Sequence, residues 1–95
     1  MPNYKLSKTA KANLLTIARY GDKNYGVQKS NQYRDKLKQQ FELLVEQPYL
    51  FQAVNHIRKG YRRCVCGSHS IYYRIDNEDI EIMAVIGQQD IDKWL

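Results

Sequence analysis

The sequence predicts an α+β domain of order βααβββ: an N-terminal β-strand, an antiparallel αα-hairpin, a three-stranded antiparallel β-sheet and a short C-terminal helical tail. Two patterns carry this expectation. Between Ser7 and Gln47 apolar residues recur at helical spacing, and between His56 and Ile86 they alternate with period two. Glycine, proline and Asn/Asp fall at the joints of these patterns. With 95 residues the chain builds one domain, residues 1–95, around one modest core.

Tyr4-Lys5-Leu6 reads as a short strand, and Ser7 behind it suits a helix N-cap. Ala10, Leu14, Ile17, Ala18 and Gly21 then form one apolar stripe, with Lys8, Lys11 and Arg19 on other faces. Gly21 is the expected stop, and Gly21 to Gly26 the expected loop. A second helix runs from about Val27 to Gln47, with its stripe on Val27, Ser30, Tyr33 or Arg34, Leu37, Phe41, Leu44 and Val45. Pro48 ends it. So short a loop makes the helices antiparallel neighbours, and both must lie on the sheet to bury their stripes.

Pro48 to Asn55 is a connector, with Leu50 and Phe51 expected under the sheet edge. Strands come next over about His56–Cys66, broken near Gly60, then His69–Ile75 and Ile80–Ile86. Gly67-Ser68 and Asp76-Asn77-Glu78-Asp79 supply the turns. In the last strand Met83 and Val85 make the second face apolar too, which predicts a central or doubly covered position. Gly87 ends it, and Asp90 suits the cap of a final helical turn through Trp94.

The net charge is +5 and there are eight tyrosines. A basic balance favours an acidic protein, nucleic acid or anionic surface as partner, without choosing among them. No apolar run approaches a membrane span, and Met1-Pro2-Asn3-Tyr4-Lys5 lacks the apolar core of a signal peptide. The expectation is a soluble, cytoplasmic protein. Cys64 and Cys66 share one face of a strand, too close for an unstrained disulfide, and read as thiols of a reducing compartment.

Positive charge concentrates in Arg58, Lys59, Arg62, Arg63 and Arg74. Arg62 and Arg63 point to opposite faces of a strand, so one of them at most shares a face with Arg74. These arginines make either an anion or acidic-partner site or a solvated sheet face. His56 and His69 suit acid–base work or local hydrogen bonds. Cys64, Cys66 and His69 have neither the spacing nor the ligand number of a zinc site. No phosphate loop or metalloprotease motif occurs, and Glu42 and Glu46 read as a solvated helix pair. No metal or cofactor is expected.

The order of elements, Tyr4-Lys5-Leu6-Ser7, Gly60-Tyr61-Arg62-Arg63, His69-Ser70-Ile71-Tyr72-Tyr73-Arg74-Ile75 and Ile80-Glu81-Ile82-Met83-Ala84-Val85-Ile86-Gly87-Gln88-Gln89-Asp90 together resemble the RelE/ParE superfamily of bacterial toxins from toxin–antitoxin modules. The likeness covers nearly the whole chain and is greatest to the ParE branch. It implies two activities to choose between. RelE-like members cut mRNA on the ribosome without a metal, using basic residues with a histidine, tyrosine or glutamate. ParE-like members poison DNA gyrase and cut nothing themselves. Many of the nucleases carry a histidine or tyrosine after the last strand, where this chain has Gly87-Gln88-Gln89-Asp90. A glutamine amide does not titrate near neutrality. The same segment departs from the histidine and arginine often found there in ParE-like chains.

The resemblance therefore implies a gyrase inhibitor with no catalytic residues of its own, which stabilises gyrase-cleaved DNA. Its partners would be the gyrase A subunit and a ParD-like antitoxin whose acidic, disordered segment folds along the αα-hairpin over Leu14, Ile17, Leu37 and Phe41. A homodimer or a toxin–antitoxin hetero-oligomer is compatible with this, and direct nucleic-acid binding stays open. Arg58, Arg62, Arg63 and Arg74 are the expected polar contacts. Trp94 is either an anchor for gyrase or antitoxin or a closure of the core. The alternative, an mRNA-cleaving toxin, would use Arg58, Arg62 and Arg74 with His56 or Tyr72. A plain interaction module is the third reading.

Overall fold

The fold was analysed in a computed structural model that describes residues 3–87. Its elements are β1 (Tyr4–Leu6), α1 (Lys8–Tyr25), α2 (Val27–Glu46), β2 (Tyr61–Cys66), β3 (His69–Asp76) and β4 (Asp79–Gly87). The class is the expected one, α+β with the helical hairpin on the sheet. The sheet has four strands in the order β1-β4-β3-β2. β1 joins the other three by pairing parallel with β4, Tyr4 opposite Ile80 and Leu6 opposite Ile82. β2, β3 and β4 are antiparallel neighbours, and β4 takes the central position its apolar composition implied.

Gly21 does not stop α1. The helix continues to Tyr25, and the two helices are joined by Gly26 alone, at φ 88°. Glycine is needed at 21 because a Cβ there would sit 2.6 Å from Ser30 Oγ of α2. What resembles a cap in sequence is the closest approach of two helices. Ser7 does cap α1, its Oγ accepting from Ala10 N at 3.0 Å. α2 ends at Glu46, before Pro48, as expected. Val27 belongs to the solvent rather than to the stripe, at 60% exposed, because it begins α2 at the elbow.

The core lies between sheet and hairpin. Leu37, Phe41 and Leu44 from α2 and Ala10 from α1 pack on Cys64, Ile71, Tyr73, Ile80, Ile82 and Val85. The alternation in β4 is interrupted. Tyr72 opposes Ala84 and Tyr73 opposes Ile82, so Met83 has no opposite residue and forms a bulge. Val85 therefore returns to the main core instead of making the second face apolar. That second face carries its own small cluster, Val54, Tyr72 and Ala84, with Ile57, Tyr61 and Ile86 packed on it. Tyr72, the tyrosine available to the mRNA-cleaving alternative, is 1% exposed because the connector's Val54 packs against it.

Side chains of the first helix complete what the short β1 leaves undone. Ser7 N donates to Ile82 O at 2.9 Å, and Ser7 Oγ donates to Met83 O at 2.8 Å. Asn13 Oδ1 accepts from Val85 N at 3.0 Å. The segment from residue 55 to 60 is a turn rather than strand: Asn55 Oδ1 accepts from Gly60 N at 2.8 Å, and β2 starts only at Tyr61. Phe51 packs on the core, while Leu50 is 61% exposed instead of lying under the sheet edge.

Candidate interaction surfaces

The register separates the arginines. Arg62 opposes Tyr73, and Cys64 opposes Ile71, so Arg62 lies on the helix-covered face. There its Nη1 donates to Phe51 O at 2.6 Å, and its guanidinium lies 5.0 Å from the Tyr49 ring centroid. Arg62 holds the connector against β2. Arg63 opposes Tyr72 and Tyr61 opposes Arg74, which puts Arg63 and Arg74 on the other face as diagonal neighbours.

Arg74 is engaged. Its Nε and Nη2 both donate to Glu81 Oε1, at 2.7 and 2.6 Å. That hydrogen bond, and then the carboxylate's charge, raise the guanidinium's pKa. Arg63, by contrast, makes no side-chain hydrogen bond or ion pair among the described residues. Arg58 is exposed in the turn before β2. The expected cluster of four therefore resolves into one structural tie, one cross-strand ion pair, one exposed turn residue and Arg63. Trp94, with Gln88, Gln89 and Asp90, lies outside the described residues.

The hydrophobic quartet on the hairpin also divides. Leu37 and Phe41 are core residues, 1% and 3% exposed. With Tyr4, Leu6, Leu14 and their rim residues Arg34 and Lys38 they line a cleft of 200 Å³. Ile17 faces a different cleft of 300 Å³ at the other end of the hairpin, with Tyr20, Tyr25, Lys29, Tyr33 and His69.

Sequence reasoning missed this second cleft. The count of eight tyrosines was the available signal, but reading Gly21 as a helix end placed Tyr25 in a loop. Tyr33 reaches from α2 to the β2–β3 turn, where its hydroxyl meets Cys66 O at 3.2 Å and His69 Nδ1 at 2.6 Å. A carbonyl only accepts, so the hydroxyl donates to Cys66 and His69 Nδ1–H donates to the hydroxyl oxygen. Gly67 is required beneath it on two counts, with φ 60° and a would-be Cβ 2.8 Å from the Tyr33 ring. His69 thus makes a long-range contact, from the β2–β3 turn to α2, rather than only the local hydrogen bonds expected of a hairpin histidine. His56 is exposed in the turn before β2.

Cys64 and Cys66 are buried thiols on the helix-covered face. Burial raises both pKa values, partly offset at Cys64 by its hydrogen bond from Gln40 and at Cys66 by Lys36. Neither has the electropositive, accessible setting of a reactive cysteine. Among the described residues no three His, Cys, Asp or Glu side chains converge on a metal position, and no helix is long and apolar enough to cross a membrane.

This architecture, a two-helix hairpin on a four-stranded sheet with basic residues on both, was compared with known proteins. Residues 4–91 match the family described as ParE toxin of type II toxin–antitoxin system, parDE. The chain is 38% identical over 88 residues to Toxin ParE1 of Caulobacter vibrioides, covering 93% of this chain and 91% of the relative. It is 33% identical over 94 residues to Toxin ParE1 of Mycobacterium tuberculosis, covering 97% and 96%. A solved structure described as a chromosomal ParDE TA system from P. aeruginosa superposes with a TM-score of 0.79 at 18% identity, over 92% of this chain and 96% of that one. The fold is that of a small toxin from a type II toxin–antitoxin system. The chain belongs to the ParE toxin family.

Proposed function

We propose that this protein inhibits DNA gyrase in the cytoplasm, binding the A subunit and stabilising gyrase-cleaved DNA, and that a ParD-like antitoxin neutralises it. The observation that carries this reading is 38% identity to a ParE1 toxin across 93% of the chain. Charge supports the antitoxin half: a +5 toxin suits an acidic segment that folds on contact. The cleft of Leu14, Leu37 and Phe41, rimmed by Arg34 and Lys38, suits the apolar face of such a segment. Arg58 and Arg63 are the cations best placed to meet gyrase or antitoxin, with Trp94 as the aromatic anchor.

The arrangement of the sheet favours this reading over mRNA cleavage. A nuclease would use Arg58, Arg62 and Arg74 with His56 or Tyr72, and of these only Arg58 and His56 are exposed in the turn before β2. Arg62 is committed to Phe51 O, Arg74 to Glu81, and Tyr72 is 1% exposed. The test is a supercoiling assay with gyrase, ATP and purified protein, run beside ribosome-programmed mRNA cleavage. Lost supercoiling or protein-linked linear DNA with intact mRNA is the expected result. Cut mRNA with unaffected gyrase would overturn the proposal.

A further inference from the structure

The elbow end of the helical hairpin holds a slot that the gyrase reading leaves unused. Ile17, Tyr20 and Tyr25 of α1, Tyr33 of α2 and His69 wall a volume of 300 Å³. Tyr20 and Tyr25 are 60% and 62% exposed, yet they meet edge to face with ring centroids 6.2 Å apart. Two paired aromatic rings at the rim of an apolar slot are the composition of a binding hot spot rather than of a solvated helix face. A neighbouring cleft that shares Ile17, Tyr20, Tyr25 and His69 continues the slot to Gly87.

Among the described residues its electrostatics are one-sided. No carboxylate among the described residues lines either cleft, whereas Lys29 lines the first, and Arg19 and Lys23 flank Tyr20 on its outer side. Asp22, the acid nearest in sequence, pairs with Arg34 at 3.7 Å. α2 adds to the imbalance, because it begins with no side-chain cap and no acidic residue in its first turn. Its leading N–H groups and the positive end of its dipole are left uncompensated beside the slot. α1, by contrast, is capped by Ser7.

We infer that this slot docks an acidic segment of a partner protein, which inserts one leucine-sized or aromatic side chain among Tyr20, Tyr25 and Tyr33 and sets its carboxylates against Lys29 and the first turn of α2. The inference rests on the toxin–antitoxin reading for its occupant, the acidic segment of the antitoxin. It adds a second anchor, distinct from the cleft over Leu37 and Phe41. A second copy of this chain fits less well, because two molecules of charge +5 would bring like-charged rims together.

The test is calorimetric titration of the intact protein with its cognate antitoxin at two salt concentrations, using the wild type, Tyr25→Ala, Lys29→Glu and Leu50→Ala. All three side chains are exposed, and circular dichroism checks that the variants remain folded. Tyr25→Ala is expected to weaken binding roughly 30-fold, the loss typical of an aromatic anchor. Lys29→Glu weakens it and flattens its salt dependence, while Leu50→Ala, in the connector away from the slot, binds as wild type. Unchanged affinity in Tyr25→Ala and Lys29→Glu, beside tight wild-type binding, overturns the slot and leaves the antitoxin reading standing. A wild type that binds no antitoxin overturns both. A wild-type dimer that Tyr25→Ala dissociates overturns the choice of occupant.

Discussion

Tyr73 shows how much one hydroxyl at the floor of the core contributes. The residue is fully buried, its hydroxyl donates to Pro48 O at 2.9 Å, and burial pushes its pKa up to about 12. The folded protein therefore keeps a proton that the unfolded chain releases near pH ~10. Between those values the folded state binds more protons, so stability falls as pH rises and is fully present below the lower one. Urea midpoints should decline between pH ~10 and ~12, more steeply in the wild type than in Tyr73→Phe. Equal declines would remove Tyr73 as the cause. Cys64 and Cys66, raised in the same direction, act in both proteins and cancel from the comparison. At this scale much of the site was illegible in sequence. Periodicity placed Arg62 and Arg63 on opposite faces, but only the register shows which of them joins Arg74. The burial of Tyr72 was illegible because the residue that covers it, Val54, comes from a connector without period.

At the level of elements, strands and helices were legible where pattern and punctuation agreed. Ser7 before the first stripe, Pro48 after the second, and Asn77 in the β3–β4 turn mark true boundaries. The failures share a cause. Glycine has two uses, a left-handed backbone and a missing side chain, and sequence does not say which applies. Gly26 serves the first and Gly21 the second. Gly21→Ala should therefore destabilise despite alanine's better helix propensity. The clash with Ser30 Oγ outweighs a propensity gain of about 1 kcal/mol, leaving a net loss of roughly 1–2 kcal/mol by chemical denaturation. Part of that loss should return in the Gly21→Ala, Ser30→Ala double variant, where Oγ is gone. A stabilised Gly21→Ala would show that the helices separate there at little cost.

For the whole molecule, the decisive contact is the one most distant in sequence. β1 is three residues long, yet among the described residues it makes the sheet's only parallel pairing and ties the start of the described chain to its last strand. Ser7 is the hinge-pin of that closure, since its one hydroxyl caps α1 and satisfies the carbonyl of Met83. Ser7→Ala should lower global stability by about 2 kcal/mol, a lost cap plus an unsatisfied acceptor. The denaturant m-value should be unchanged, and Ser7→Thr should recover most of the loss. A change confined to local fraying of α1, read by hydrogen exchange, would contradict this. The parallel pairing of β1 was not foreseen, because three residues carry too little alternation to choose a neighbour.

The bulge at Met83 makes chain length itself informative. An unpaired residue in a central strand is one the ladder does not count, and the facing of the residues after it is set by the pairing on either side. Replacing Met83 keeps the phase of everything downstream. Deleting it would set Ala84, opposite Tyr72, directly after Ile82, opposite Tyr73, a regular ladder in which Val85 still faces the core. Elsewhere in this strand a single-residue deletion would exchange inside for outside, so the bulge is where β4 tolerates a change of length. Drift in length within the described chain is better absorbed by the connector between α2 and β2, where no periodic face depends on the count.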